Sequence, residues 1–165
     1  MITITREERE WFLRNLAQGL IEYMGAASPP IEVEEMLQHP PDIFGLDFGV
    51  VDMYSNLWDA TFARPPSRRG SIFVRVNLTP VQRRFALARE ILSAMITSKH
   101  GQVLGLGDIL MDWLQESAEY FARHLLAPEP MVEVFQENGS DPVRFAKEFG
   151  IPKEIAEKRL NDVIL

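Results

Sequence analysis

The amino-acid sequence predicts an α+β domain that is mostly helical, with a small twisted sheet placed before one central helix. Residues 71–77 are rich in β-branched side chains and lie between Gly70 and a terminal Asn77, which is typical of a strand. That strand leads directly into residues 79–100, whose apolar side chains recur at helical spacing on two neighbouring faces. A helix with two apolar faces packs on both sides, so we expect it at the centre of the fold.

The composition fits one globular domain. The chain has 165 residues, and we expect residues 1–165 to form a single domain with residues 131–165 as a helical C-terminal subregion. Cysteine is absent, which excludes disulfides and thiolate metal sites and fits a reducing compartment. We expect no secretory leader, because the first ten residues show no basic segment followed by an apolar run, and no apolar run reaches the roughly 18 residues that a membrane span needs. We therefore expect a cytoplasmic protein without membrane attachment.

The first predicted helix covers residues 5–25. Thr5 followed by Glu8 matches a capping box, and Gly25 is typical of the residue that ends a helix. Its apolar face consists of Trp11, Phe12, Leu16, Leu20, Ile21 and Met24. The spacing of these side chains predicts a helix that lies on the surface of the core.

The next segments are less regular. Residues 30–37 read as a short helix that ends before two prolines. Residues 42–63 fit both strands and irregular structure, and we favour strands. Residues 64–70 are a loop by composition.

The central helix begins with strong local signals. Thr79 is a good N-cap, and Pro80 occupies the first helical position, where a missing N–H costs nothing. The polar residues Arg89, Glu90 and Ser93 lie within this apolar pattern. Arg89 and Ser93 are four residues apart, so their side chains share one face of the helix. Buried charges need partners, so these residues either face a gap in the core or line a site.

The rest of the chain is predicted to be helical. Helices are expected over residues 109–126, 131–137, 141–149 and 152–161. The glycine-rich residues 101–108 are predicted to form a loop, and no lysine follows to make it a phosphate-binding loop. The helix–turn–helix spacing near the C-terminus could read DNA, but its mixed charge favours a packing role.

Positive charge is concentrated in one stretch of an acidic protein. The chain has a net charge of −7, yet residues 64–89 contain no Asp or Glu. The arginines of this basic patch are Arg64, Arg68, Arg69, Arg75, Arg83, Arg84 and Arg89. They could bind an anionic ligand or nucleic acid, or pair with acidic side chains elsewhere, and we favour pairing. The overall negative charge makes nucleic acid an unexpected partner.

Three segments in this order resemble the ImmA/IrrE family of zinc metallopeptidase-like proteins. The first is the strand ending in Asn77 followed by Arg-Phe-Ala-Leu-Ala-x-Glu at residues 84–90. The second, at residues 116–130, contains Ala-Glu-Tyr-Phe-Ala-Arg-His-Leu-Leu-Ala-Pro, and the third is Phe-Gly-Ile-Pro at residues 149–152 with a following Arg-Leu. The resemblance implies a zincin-like fold, in which the central helix carries the metal site.

The chain departs from the family at this metal site. The resemblance places the two zinc-binding histidines of the His-Glu-x-x-His motif at Arg89 and Ser93, and leaves Glu90 as a remnant of the general base. The third ligand position falls at or beside Glu116. A guanidinium stays protonated and has no lone pair for a metal, so we expect no zinc and no other cofactor. We expect Arg89 instead to replace the metal's charge, with Glu90, Glu116 or Glu119 as its partner.

Three functions follow from these residues. We favour a catalytically inactive, bacterial metallopeptidase-like protein that acts through protein binding in transcriptional or stress regulation. Its expected partner is a protein, with a helix-turn-helix regulator as the candidate that the resemblance suggests. One alternative is an active zinc peptidase whose ligands come from Glu90, Glu116, His100 and His124. The other is an anion or nucleic-acid binder that uses residues 64–89.

Overall fold

The α+β class is confirmed by the computed structural model, which describes residues 3–66 and 69–164. The helices are α1 (Arg6–Met24), α2 (Val33–Gln38), α3 (Pro80–Thr97), α4 (Lys99–Val103), α5 (Leu106–Leu110), α6 (Leu114–Leu126), α7 (Glu129–Gln136), α8 (Pro142–Phe149) and α9 (Lys153–Asn161). The strands are β1 (Gly49–Met53), β2 (Ala60–Ala63) and β3 (Ser71–Arg75). Short 3₁₀ turns occur at Asp42–Phe44 and Met111–Trp113.

The three strands form one mixed sheet in the order β1-β3-β2. Strand β1 is parallel to β3, with Val51 opposite Phe73, and β2 is antiparallel to β3, with Thr61 opposite Phe73. Ile72 and Val74 of β3 are completely buried, because this central strand packs on α3. The preference for strands within residues 42–63 is therefore confirmed for two segments.

Helix α1 begins and ends as predicted. The Thr5 side chain accepts a hydrogen bond from the Glu8 amide at 3.1 Å, and the Glu8 carboxylate accepts one from the Thr5 amide at 2.7 Å. This reciprocal pair satisfies two amides that a helix start leaves free. Gly25 ends the helix with φ 64°, a left-handed conformation that glycine adopts without strain.

Helix α3 is the centre of the fold. It packs against α6 and against strands β2 and β3. Its buried residues are Ala86, Leu87, Ala88, Ile91, Leu92, Ala94, Met95 and Ile96. Thr79 caps its first turn, accepting from the Gln82 amide at 3.2 Å. The two apolar faces in the sequence therefore correspond to two packed sides.

The predicted loop over residues 101–108 is wrong, because this segment contains most of α4 and α5. Helix α3 ends at Thr97, and the Ser98 side chain then caps α4 by accepting from the Gly101 amide at 2.9 Å. A Cβ atom on Gly101 would lie 2.0 Å from the Met95 carbonyl oxygen. The glycine therefore permits a close turn between two helices. Helix α6 correspondingly begins at Leu114, later than expected.

The C-terminal helices pack tightly on the rest of the chain. Phe145 and Phe149 of α8 are completely buried, and their stacked rings lie 4.3 Å apart. The buried Arg159 of α9 donates to the Ala127 carbonyl at 2.9 Å and to the Glu129 carboxylate at 2.7 Å. The inner faces of α8 and α9 are therefore packed against the rest of the chain. The sequence favours a packing role over DNA binding for these helices because their charge is mixed.

Candidate functional site

A cavity of about 520 Å³ lies beside the segment of α3 where the sequence suggested a site. We call it the α3–α9 cavity, because residues of α3 and of the start of α9 form most of its wall. Its apolar lining comes from Val81, Phe85, Ala86 and Ile155. Charged side chains complete the wall, so the cavity combines an apolar surface with ionic groups, as ligand sites commonly do.

Arg89 lines this cavity and is partly buried. Its guanidinium carbon lies 5.6 Å from the centre of the Phe85 ring, close enough for a cation–π contact. Within the described parts of the chain, no carboxylate oxygen lies within 4.0 Å of its guanidinium, and no hydrogen-bond acceptor contacts it. The cation therefore lines the cavity without an ion pair among those residues, and its charge acts through space on the carboxyl of the neighbouring Glu90.

Two of the three carboxylates expected to pair with Arg89, Glu119 and Glu116, contact other cations. Glu119 also lines the α3–α9 cavity, but its Oε1 lies 2.5 Å from the Lys158 ammonium and 3.8 Å from the Arg123 guanidinium. Glu116 is about half exposed, and its Oε1 lies 3.5 Å from Arg9 of α1. Cations on α1, α6 and α9 thus contact these two acids, and neither acid forms an ion pair with Arg89 within the described residues.

Glu90 and Ser93 are partly buried and do not line the cavity. Burial raises the pKa of the Glu90 carboxyl above its ordinary value of 4.5, while the Arg89 charge and the Phe62 backbone amide of β2 oppose that rise. The Ser93 backbone carbonyl accepts a hydrogen bond from the Thr97 hydroxyl at 2.9 Å. The structure therefore separates Glu90 from the cavity that its neighbour Arg89 lines.

Most arginines of the basic patch pair with acidic groups or backbone carbonyls. The contacts are Arg64 with Asp47 at 2.7 Å, Arg75 with Asp59 at 3.1 Å, Arg83 with Glu34 at 2.7 and 2.9 Å, and Arg84 with the Gly150 carbonyl at 2.8 Å. Arg69 is exposed, and Arg68 lies outside the described residues. Four of the seven arginines thus serve the packing of this domain, as the pairing interpretation expects.

The side chains present do not fit a zinc centre. Among residues 3–66 and 69–164, no three His, Asp or Glu side chains group closely enough to hold a metal ion. His100 lies against the Phe44 ring, and the His124 ring contacts Asp162. A guanidinium at the helix position of a ligand adds positive charge and no lone pair. The displaced ligand set suggested by the sequence is therefore not assembled.

A second ionic cluster was not found by sequence reasoning. Asp162, just after α9, accepts two hydrogen bonds from Arg123 at 2.8 Å each, and its Oδ2 lies 2.9 Å from His124 Nε2. Burial lowers the pKa of His124 from 6.5 to about 4, with Asp162 opposing that shift. The hydrogen bonds from Arg123 and His124 lower the pKa of Asp162, against the effect of burial. These residues are nearly forty positions apart, so no local pattern links them.

The fold is that of an α+β domain in which a small mixed sheet precedes and packs on the central helix α3. A family model described as the IrrE N-terminal-like domain (Peptidase_M78) matches residues 42–161, well over half of the chain, so the protein belongs to this family. The resemblance in three segments is thereby confirmed. No curated protein matches the chain.

A solved structure with the same fold illustrates this similarity. It is described as a Mycobacterium tuberculosis transcriptional regulator and superposes with a TM-score of 0.60 at 19% identity. The match covers 91% of this chain and 50% of that one, so this chain spans half the length of the regulator. None of the helices in the described residues is both long and apolar enough to span a bilayer.

Proposed function

We propose that this domain acts in bacterial regulation by binding another protein, and that it does not cleave peptides. The observation that supports this most directly is Arg89, a permanent cation that lines the cavity from the helix position where the family resemblance places a zinc ligand. A metal ion beside a guanidinium meets repulsion, and zinc hydrolysis needs lone-pair donors that Arg89 does not supply. We therefore propose that the cavity binds part of another protein and does not hydrolyse it.

The regulatory setting rests on family membership and on the solved relative, which is described as a transcriptional regulator. We propose a protein partner with a helix-turn-helix regulator as the first candidate, in the cytoplasm. Nucleic-acid binding through residues 64–89 is less favoured, because four of those arginines are already paired. An active peptidase is less favoured because its ligands do not converge within the described residues.

Metal analysis of the purified protein tests the absence of zinc chemistry. After dialysis we expect far less than one zinc per chain, since the central helix offers no pair of histidines. The Arg89→His, Ser93→His double variant is the matched control, because it rebuilds the His-Glu-x-x-His motif on the same helix. Stoichiometric zinc in the native protein would contradict the proposal.

A genetic experiment tests whether the role is binding. Replacement of the remnant general base by Glu90→Gln removes the group that a zinc peptidase needs to activate water. We expect cells with this variant to keep the transcript profile of the parent strain, while deletion of the coding sequence changes it. A profile that matches the deletion, with the variant present at normal abundance, would instead indicate catalysis by Glu90.

A further inference from the structure

Three acidic and three basic side chains line the α3–α9 cavity, but they do not all form ion pairs with one another. Asp59 lines the cavity but lies 3.1 Å from Arg75, and Glu119 is held by Lys158 at 2.5 Å. Arg89 and Lys153 also line the cavity, and neither has an ion-pair partner among the described side chains. Asp59 and Glu119, two of the acids that line the cavity, are thus already paired with other cations.

One acid remains on the rim of the cavity. Glu154 is exposed at the start of α9, next to Lys153, and solvent screens its charge. Arg89, by contrast, is partly buried on α3, where screening is weaker. The cavity wall therefore presents a partly buried cation, and such a cation favours an anionic ligand.

The remaining walls determine which anion fits. Phe85 lies under the guanidinium, and Val81, Ala86 and Ile155 extend the apolar surface beside it. An inorganic anion would leave this apolar surface in water. A carboxylate with a neighbouring apolar side chain would satisfy both the guanidinium and the apolar wall. The guanidinium binds a carboxylate through two parallel hydrogen bonds, and the apolar side chain covers the wall.

We infer that the α3–α9 cavity binds a carboxylate of a partner polypeptide, together with an adjacent apolar side chain, through Arg89. The inference rests on the proposed function, because it names the surface by which the domain binds a protein. The carboxylate can belong to a chain terminus or to an Asp or Glu side chain. A volume of about 520 Å³ accepts two or three residues at most, so recognition is of a short segment.

Small peptides of matched structure test this inference. N-acetyl-phenylalanine carries a terminal carboxylate beside an apolar ring, and its amide is the neutral control. N-acetyl-Asp-Phe-amide carries only a side-chain carboxylate. Titration into ¹⁵N-labelled protein, followed by amide shifts in α3 and α9, gives the affinity of each. We expect at least one acid to bind about tenfold more tightly than the neutral amide, and the tighter acid identifies the source of the carboxylate.

Variants then assign the binding to Arg89. We expect Arg89→Gln to weaken the preferred acid about tenfold, and Arg89→Lys to restore only part of that loss because an ammonium lacks the planar fork. Arg6→Gln is the matched control, since Arg6 is exposed on α1 and outside the cavity. The amide spectrum of each variant confirms that the domain is folded.

Two results would overturn the inference: equal binding of the acids and the neutral amide, including no binding of any, or native affinity in a folded Arg89→Gln variant. Either result can occur in a zinc-free protein, which leaves the proposed binding role in place but moves it to another surface. Stoichiometric zinc, in contrast, would overturn the proposed function itself. The two failures are therefore distinguishable.

Discussion

Glu119 of α6 and Lys158 of α9 form an ion pair of 2.5 Å at the wall of the α3–α9 cavity. This contact joins two helices that line the cavity together with α3, and it uses one of the three acids that were expected to pair with Arg89. Because the bond forms without Arg89, the guanidinium remains directed at the cavity. The ion pair between α6 and α9 thus involves different residues from the cation that lines the cavity without a partner among the described residues.

The first prediction concerns Arg89. If Arg89 paired with carboxylates in place of the metal, Arg89→Ala would destabilise the fold by leaving buried carboxylates without a partner. Since Arg89 makes no ion pair among the described residues, we expect a change below about 1 kcal/mol in the free energy of unfolding, measured by urea denaturation. A loss of several kcal/mol would mean that Arg89 replaces the metal as a structural cation.

The second prediction concerns the carboxyl group of Glu90. Its folded-state pKa lies above the ordinary 4.5 because burial disfavours the charged form, so ionised Glu90 destabilises the folded state at neutral pH. We expect Glu90→Gln to stabilise the protein by about 0.5–2 kcal/mol at pH 7. The gain should disappear as the pH falls below 4.5, where the carboxyl is protonated in both states.

Chemical denaturation at pH 7 and pH 4 measures this effect. Glu133→Gln, at an exposed position in the middle of α7, is the control and should change stability little at either pH. Destabilisation by Glu90→Gln at pH 7 would show that the contact with the Phe62 amide outweighs the cost of burying the charge.

The third prediction is a loss of stability in acid. Folded His124 has a pKa of about 4 against an ordinary 6.5, so between these values the unfolded chain binds a proton that the folded chain does not. Stability therefore falls as the pH drops from 6.5 to 4, by roughly 3 kcal/mol from this group. The folded-state pKa of Asp162 lies below its ordinary 3.8, so the unfolded chain binds this proton first, and the folded protein loses further stability as the pH falls below 3.8.

A pH series of the free energy of unfolding tests this assignment. His124→Gln should flatten the decline between pH 6.5 and 4, because the glutamine does not titrate. His39→Gln is the matched control at an exposed histidine and should keep the native profile. If His124→Gln declines as steeply as the native chain, other groups cause the acid sensitivity.

The fourth prediction concerns the turn between α3 and α4. A Cβ atom at residue 101 would lie 2.0 Å from the Met95 carbonyl oxygen, so Gly101→Ala must open the turn. We expect a loss of about 2 kcal/mol or more in thermal or urea denaturation. Gly107→Ala in α5 is the control, because its nearest neighbours lie at 3.7 and 4.0 Å and alanine favours a helix. Equal effects of the two substitutions would contradict this account.

The sequence predicted the central elements correctly because their signals are local. Thr79 and Pro80 fix the start of α3, β-branched residues define β3, and apolar spacing shows that α3 packs on two sides. The predicted loop over residues 101–108 was wrong, because Gly101 permits a close turn between two helices there. Glycine content reports conformational freedom, but only the surrounding backbone decides how that freedom is used.

The sequence by itself determined the fold class, the family and the helix that carries the candidate site, since caps, periodicity and motif order are properties of contiguous residues. Only the tertiary structure decided which charges meet. It assigned Glu119 to Lys158, Glu116 to Arg9 and Asp162 to His124, and it left Arg89 facing a cavity. Ion pairing depends on distances between side chains far apart in the chain, and those distances arise only when the helices pack.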